Sequence, residues 1–224
     1  MMKKILFSGF ISVLIFCSCN KKKNDIHVSG YFPTNKIVNL DSLNRPMDST
    51  SLYFPSYEFE TLKDTSDRVK FFDLMIAKET SFYLYDLEEP ILSSKYLGKR
   101  MYRLLYFDQS DPKSIRLIKE DDRVDVVIKY GVLLNQYGPV KLDKEVNFSI
   151  NSGYWDTLST LAKKARMWNV PSTTNKANLY LSFFIEGHSE YGYTHLGMAR
   201  IEKGINVEET GELRRFFDRV EKLK

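Results

Sequence analysis

Apolar side chains recur along this chain with two periods, and each period predicts an element. Val69, Phe72, Met75 and Ile76 fall at helical spacing behind Asp67, which predicts a helix over residues 66–78. After the Glu89-Pro90 break the period changes to two, predicting strands over residues 100–107, 114–119 and 124–130. The polar run 120–123 between the last two predicts a hairpin. A further strand is expected over 146–150, after the Gly138-Pro139 turn.

Trp155, Leu158, Leu161, Ala162, Ala165 and Trp168 then form one helical face behind a cap at Asn151 or Ser152, with Pro171 as its stop. Leu179, Leu181, Phe183 and Ile185 alternate with Tyr180, Ser182, Phe184 and Glu186, predicting a half-buried strand that turns at 187–192 and returns over 194–201. Asn206 and Glu209 have capping-box spacing ahead of Leu213, Phe216, Phe217, Val220 and Leu223, which predicts an amphipathic last helix. Strands joined mainly by hairpins imply an α+β fold: an antiparallel sheet covered on one face by about three helices. The regular strand-helix alternation of a parallel doubly wound fold is missing.

The first residues follow neither period. Lys3 and Lys4 precede a mainly apolar run over 5–16, and Asn20, Lys21, Lys22 and Lys23 end it. About 20 apolar residues are needed to span a bilayer, so this run reads as an export signal rather than a permanent anchor. Its end, Phe16, Cys17, Ser18 and Cys19, resembles the cleavage box of bacterial lipoproteins, in which small residues precede a cysteine that receives lipid. The small Ser18 suits Cys19, whereas bulky Phe16 does not suit Cys17. The resemblance implies a signal peptide over 1–18, lipid attachment at Cys19 and a location in the bacterial cell envelope, held to a membrane by several acyl chains.

Polar, irregular sequence continues to about Ser56, so residues 19–56 read as attachment site and tether and 57–224 as a single domain. Both cysteines lie in the box, so the domain has no disulfide framework and depends on its core. With 15 Phe, 14 Tyr and 2 Trp, aromatic burial can supply that core. Five of the 33 Lys plus Arg precede Asn24, leaving 28 against 29 Asp plus Glu; a domain this close to neutral lacks the footprint for nucleic acid.

Candidate chemistry is thin. No nucleophile elbow or phosphate loop occurs, and Gly187, Gly192 and Gly197 are spaced by five without the dinucleotide fingerprint, so no cofactor is expected. Glu186, His188, Glu190 and His195 gather around the last hairpin, and cross-strand pairing can put Glu186 and His195 on one face. Such a set can hold a metal or move protons, but a hairpin tip also suits solvated polar residues, and no metal is assigned. Trp155 and Trp168 can face a ligand if exposed, or fill the core if not.

The C-terminal half also resembles a group of uncharacterised bacterial envelope proteins. The match runs through Tyr102, Arg103, Trp155, Trp168, Glu186-Gly187, Tyr193 and Arg200 to the last helix. These observations lead to the expectation of a non-catalytic envelope lipoprotein that binds a protein or small-molecule partner. Glu186, His188, His195, Arg200, Trp155 and Trp168 are the candidate contact residues. The alternatives are a hydrolase of envelope polymers using carboxylates such as Glu186 or Glu190, and an immunity or self-protection protein.

Overall fold

The computed structural model describes residues 39–54, 68–106, 111–135, 138–168, 183–197 and 207–224. In chain order the elements are α1 (Arg68–Asp86), β1 (Met101–Tyr106), β2 (Lys113–Lys119), β3 (Arg123–Leu133), β4 (Val140–Asn151), α2 (Gly153–Lys164), β5 (Phe183–Ser189), β6 (Gly192–Gly197) and α3 (Val207–Glu221). The strands form one antiparallel sheet in the order β4-β3-β2-β1-β5-β6, so the fold is α+β with three helices among the described residues. Pairing of β1 with β5 sets Arg103 directly opposite Glu186 although 83 positions separate them.

One face of the sheet carries the alternate apolar set that the sequence marks as inward. Leu104, Ile115, Leu117, Val126, Ile128 and Ile185 pack beneath Trp155, Leu158 and Leu161 of α2 and Leu213, Phe216 and Phe217 of α3. Each such side chain, once buried, contributes roughly 1.5–3 kcal/mol. The expectation of a sheet covered on one face is incomplete, because a second core lies on the other side. There Leu105, Val140 and Phe184 meet Ala77, Leu84 and Leu87, together with Tyr53 and Phe54. Strand β5 is consequently buried at all seven positions rather than at alternate ones.

Helix α1 runs to Asp86, well past the expected end at 78. Ser81, Tyr83 and Tyr85 are indifferent helix formers, but burial of Leu84 and Leu87 against the sheet overrides that propensity. The helix closes in a Schellman motif. Glu89 N–H reaches Leu84 O at 2.9 Å and Glu88 N–H reaches Tyr85 O at 2.8 Å, with Glu88 left-handed at φ 54°. Lys129 of β3 finishes the end by donating to the carbonyls of Leu87 (2.9 Å) and Glu88 (2.8 Å).

Helix α2 closes the same way. Met167 N–H bonds Ala162 O and Arg166 N–H bonds Lys163 O, both at 3.0 Å, with Arg166 at φ 55°. It therefore stops before Pro171, and Trp168 lies beyond the helix that carries Trp155. At its start the Asn151 side chain accepts Gly153 N–H at 2.8 Å, whereas Ser152 makes no side-chain cap bond. A left-handed L-residue costs about 1 kcal/mol, partly offset by the greater flexibility of glycine when unfolded. Arg166→Gly should therefore stabilise the protein by about 0.5–1 kcal/mol, a rise in Tm of a few degrees in a thermal melt.

The assignment of residues 19–56 to a tether is corrected over 39–54, which pack as part of the domain. Tyr53 is fully enclosed; its N–H donates to Ser81 Oγ (3.0 Å), its hydroxyl donates to Glu89 O (2.8 Å), and its carbonyl accepts Ser93 Oγ (2.7 Å). Asn44 is buried, donates to Ile91 O and Ser94 Oγ, and accepts Ile91 N–H at 2.9 Å. Polar side chains thus satisfy the backbone of an irregular segment. Composition alone cannot show such bonds, which is why a polar, irregular stretch reads as a tether.

Candidate binding site

A polar row crosses the second face of the sheet. In register, His195 of β6 faces Glu186 of β5, Glu186 faces Arg103 of β1, and Arg103 faces Arg116 of β2. Arg103 is 0% exposed. Its Nε and Nη2 lie 2.6 and 2.5 Å from Glu186 Oε2, its Nη1 donates to Glu89 Oε2 (3.2 Å) and Pro90 O (2.7 Å), and its guanidinium lies 5.9 Å from the Tyr53 ring. Tyr193 donates its hydroxyl to Glu186 Oε1 at 2.9 Å. Burial pushes the Glu186 carboxyl up, and the Arg103 guanidinium and Tyr193 hydroxyl oppose that shift.

The Schellman turn after α1 delivers Glu89 to the middle of this row. Ser114 Oγ (2.8 Å), Arg103 Nη1 and Arg116 Nη1 (2.5 Å) donate to its carboxylate, and Lys129 Nζ stands 3.9 Å away. Burial opposes ionisation of Glu89, but Arg116, Arg103 and Lys129 together hold its carboxyl below the usual range. Lys129 is pushed down by its own burial. Arg103, Arg116 and Lys129 thus face two enclosed carboxylates, while Glu145, 3.7 Å from Lys129, is 41% exposed.

Beside this cluster a cleft of about 510 Å³ opens to solvent. Met101 of β1 with Arg116 and Ile118 of β2 form its floor, and the walls are residues 41–44 on one side and Pro90 with 95–97 on the other. Both walls are fastened by side chains: Asn44 binds the 91–94 turn, and His188 holds the 92–97 loop. The His188 Nδ1 lies 2.8 Å from Leu92 O and its Nε2 accepts Leu97 N–H at 3.0 Å, which assigns the proton to Nδ1. Burial lowers this imidazole to about 4, so it is neutral near pH 7. Arg116 spans cluster and cleft. Its side chain is 13% exposed, its Nη1 is held by Glu89, and its buried Nε has no hydrogen-bond partner among the described residues.

The residues expected from sequence are placed differently. Cys19 and Arg200 lie outside the described residues. Glu186, His188 and His195 are buried rather than solvated at a hairpin tip, because α1 and the 39–54 segment cover that face. His195 stacks on Phe184 at 5.2 Å, with Phe54 and Tyr193 each 5.8 Å away. Glu190 remains at the surface, paired with Arg100. Among the described residues, no group of three or more His, Cys, Asp or Glu is placed to hold a metal.

Trp155 is a core residue 5.2 Å from Tyr102, and Trp168, half-buried, donates its Nε1–H to the Tyr102 hydroxyl at 3.0 Å. The Trp168 ring rests on Gly187, where an added Cβ would meet it at 2.9 Å. Gly187→Ala should therefore destabilise the fold by about 1–3 kcal/mol in urea denaturation.

None of the expected residues that are described lines the cleft. Arg116, Lys95, Met101 and Ile118 were missed, since the alternation of β2 marks Arg116 only as an outward polar position. Comparison with protein-family models, curated proteins and solved structures finds no match to this chain. No helix among the described residues is long and apolar enough to cross a membrane.

Proposed function

We propose that this chain is a lipid-anchored protein of the bacterial cell envelope whose folded domain is a non-catalytic module that binds a small ligand in the cleft above β1 and β2. The observation that carries the binding half is the cleft itself: about 510 Å³, with a partly apolar floor and one arginine reaching in from the interior. That volume lies within the usual range for small-molecule sites, and the lining sets apolar Met101, Leu97 and Ile118 beside polar Asn44, Lys95 and Arg116. The enclosed carboxylates are held by arginines, so Glu186 is unsuited to hydrolysing a polymer.

The address is supported by the apolar run at 5–16 and the small residue before Cys19. Intact-mass measurement of material from envelope fractions should find a chain that starts at an acylated Cys19. An unmodified terminus, or protein remaining in the cytosol, contradicts the address. For the binding half, native mass spectrometry of protein purified from its own cells should show one retained small molecule per chain. Leu97→Glu, which places a charge in the wall, should release it. Ligand-free protein in both samples contradicts the cleft as a binding site.

A further inference from the structure

Taking the cleft as a binding site, we infer that its ligand is a small amphiphile with a single anionic head, a carboxylate or a phosphate monoester, seated against Arg116. The head is specified by the part of Arg116 that lines the cleft. Glu89 occupies its inward-facing Nη1, while the buried Nε–H has no acceptor among the described residues. The Nε is closed to solvent, so a head in the cleft meets the part of the Arg116 side chain that stays exposed, where a charge-assisted hydrogen bond favours an anion.

The field behind Arg116 favours a negative head. Arg103, Arg116 and Lys129 are set against enclosed Glu89 and Glu186, Glu145 beside Lys129 is half-exposed and so screened by solvent, and exposed Lys95 adds a cation at the rim. The acidic residue of the lining does not cancel this. Asp41 accepts Arg45 Nε at 2.7 Å and the N–H groups of Leu43 (2.9 Å) and Arg45 (2.8 Å), so its charge is already matched. One partly exposed arginine and one rim lysine suit a single head rather than a polyanion. The body is specified by the bed, where Met101, Ile118 and Leu97 offer apolar surface.

The test is calorimetric titration of the chain from residue 19 onward, carrying Cys19→Ser, with octanoate, octyl phosphate, octanol, acetate and inorganic phosphate. One or both octyl anions should bind one to one, at least about tenfold tighter than octanol, a ratio of about 1.4 kcal/mol. Acetate and inorganic phosphate, which lack the body, should bind more weakly still. Comparison of the two octyl anions separates a carboxylate from a phosphate ligand. Arg116→Gln should abolish the preference for anions. Because that change also strips a partner from Glu89, Ile118→Glu serves as a second variant: its carboxylate competes for Arg116 and should exclude the octyl anions.

Octanol binding as tightly as the anions, or anion binding unchanged in both variants, overturns the inferred class and leaves the cleft as a site. No binding of any probe while purified protein retains its cellular ligand also overturns the class alone. No probe bound and no ligand retained overturns both.

Discussion

Glu89→Ala lowers stability by about 3–5 kcal/mol, because the change leaves buried guanidinium and ammonium groups without their shared carboxylate. Arg103, Arg116, Lys129 and Ser114 all converge on Glu89, and Arg103 has no access to water in its place. At about 2–4 °C per kcal/mol for a domain of this size, Tm should fall by on the order of 10 °C. Glu145→Gln is the informative contrast. It removes another carboxylate from the same Lys129, but one that is half-exposed and screened, so it should cost less than about 1 kcal/mol. Equal losses for the two variants in urea denaturation would contradict the assignment of Glu89 as the centre of the cluster. The loss arises from stranding the buried cations, since an ion pair replaced whole by apolar groups can be neutral.

Acidification gives the second large effect, and His188 sets its window. The folded protein holds this imidazole neutral down to about 4, against an ordinary value of 6.5, so the unfolded chain takes up the proton first. Stability from His188 is therefore fully present above pH 6.5 and is lost as pH falls toward 4. Between pH 7 and pH 4.5 the loss amounts to about 2–3 kcal/mol. The main physical cause is burial, which deprives the charged ring of water and outweighs the bond to Leu92 O. Protonated Nε2 can no longer accept Leu97 N–H, Arg103 adds a repelling charge, and the stacked Tyr96 ring at 5.5 Å offers no carboxylate in compensation. His188→Gln should flatten the stability profile over that window relative to the parent protein. Glu89, held below the usual range, adds its own acid loss at lower pH and is common to both proteins. Parallel profiles for the two would remove His188 as the titrating group.

The elements readable in the sequence were those whose apolar residues fall on one face. The β2–β3 hairpin, the α2 and α3 faces and the antiparallel arrangement all follow from positions such as Ile115, Leu117, Val126, Leu158 and Phe217, which pack as their spacing requires. The candidate site was far less legible, for a specific reason. Alternation marks Arg103, Arg116, Lys129 and Glu186 as outward, which on a one-sided sheet means solvent; here the outward side is a second interior. What covers it includes residues 39–54, whose apolar content is too sparse to register and whose anchors, Asn44 and Tyr53, act through hydrogen bonds to positions 28–50 residues away. Tertiary packing also joins residues no local pattern relates: the turn after α1 brings Glu89 to Arg116 across 27 positions, and strand register brings Arg103 to Glu186 across 83. Strand β4 was read too short because Lys141, Asp143, Lys144 and Glu145 break its alternation, as charges on a sheet edge commonly do.

The cleft exists only if residues 39–54 are folded against the sheet, since residues 41–44 build one of its walls. Hydrogen–deuterium exchange on the full-length chain reads this directly. The amides of Tyr53 and Ile91, bonded to Ser81 Oγ and Asn44 O, should exchange slowly, on the scale of those in the central strands. Exchange of residues 39–54 at the rate of an unfolded peptide, with the strands still protected, would contradict the account.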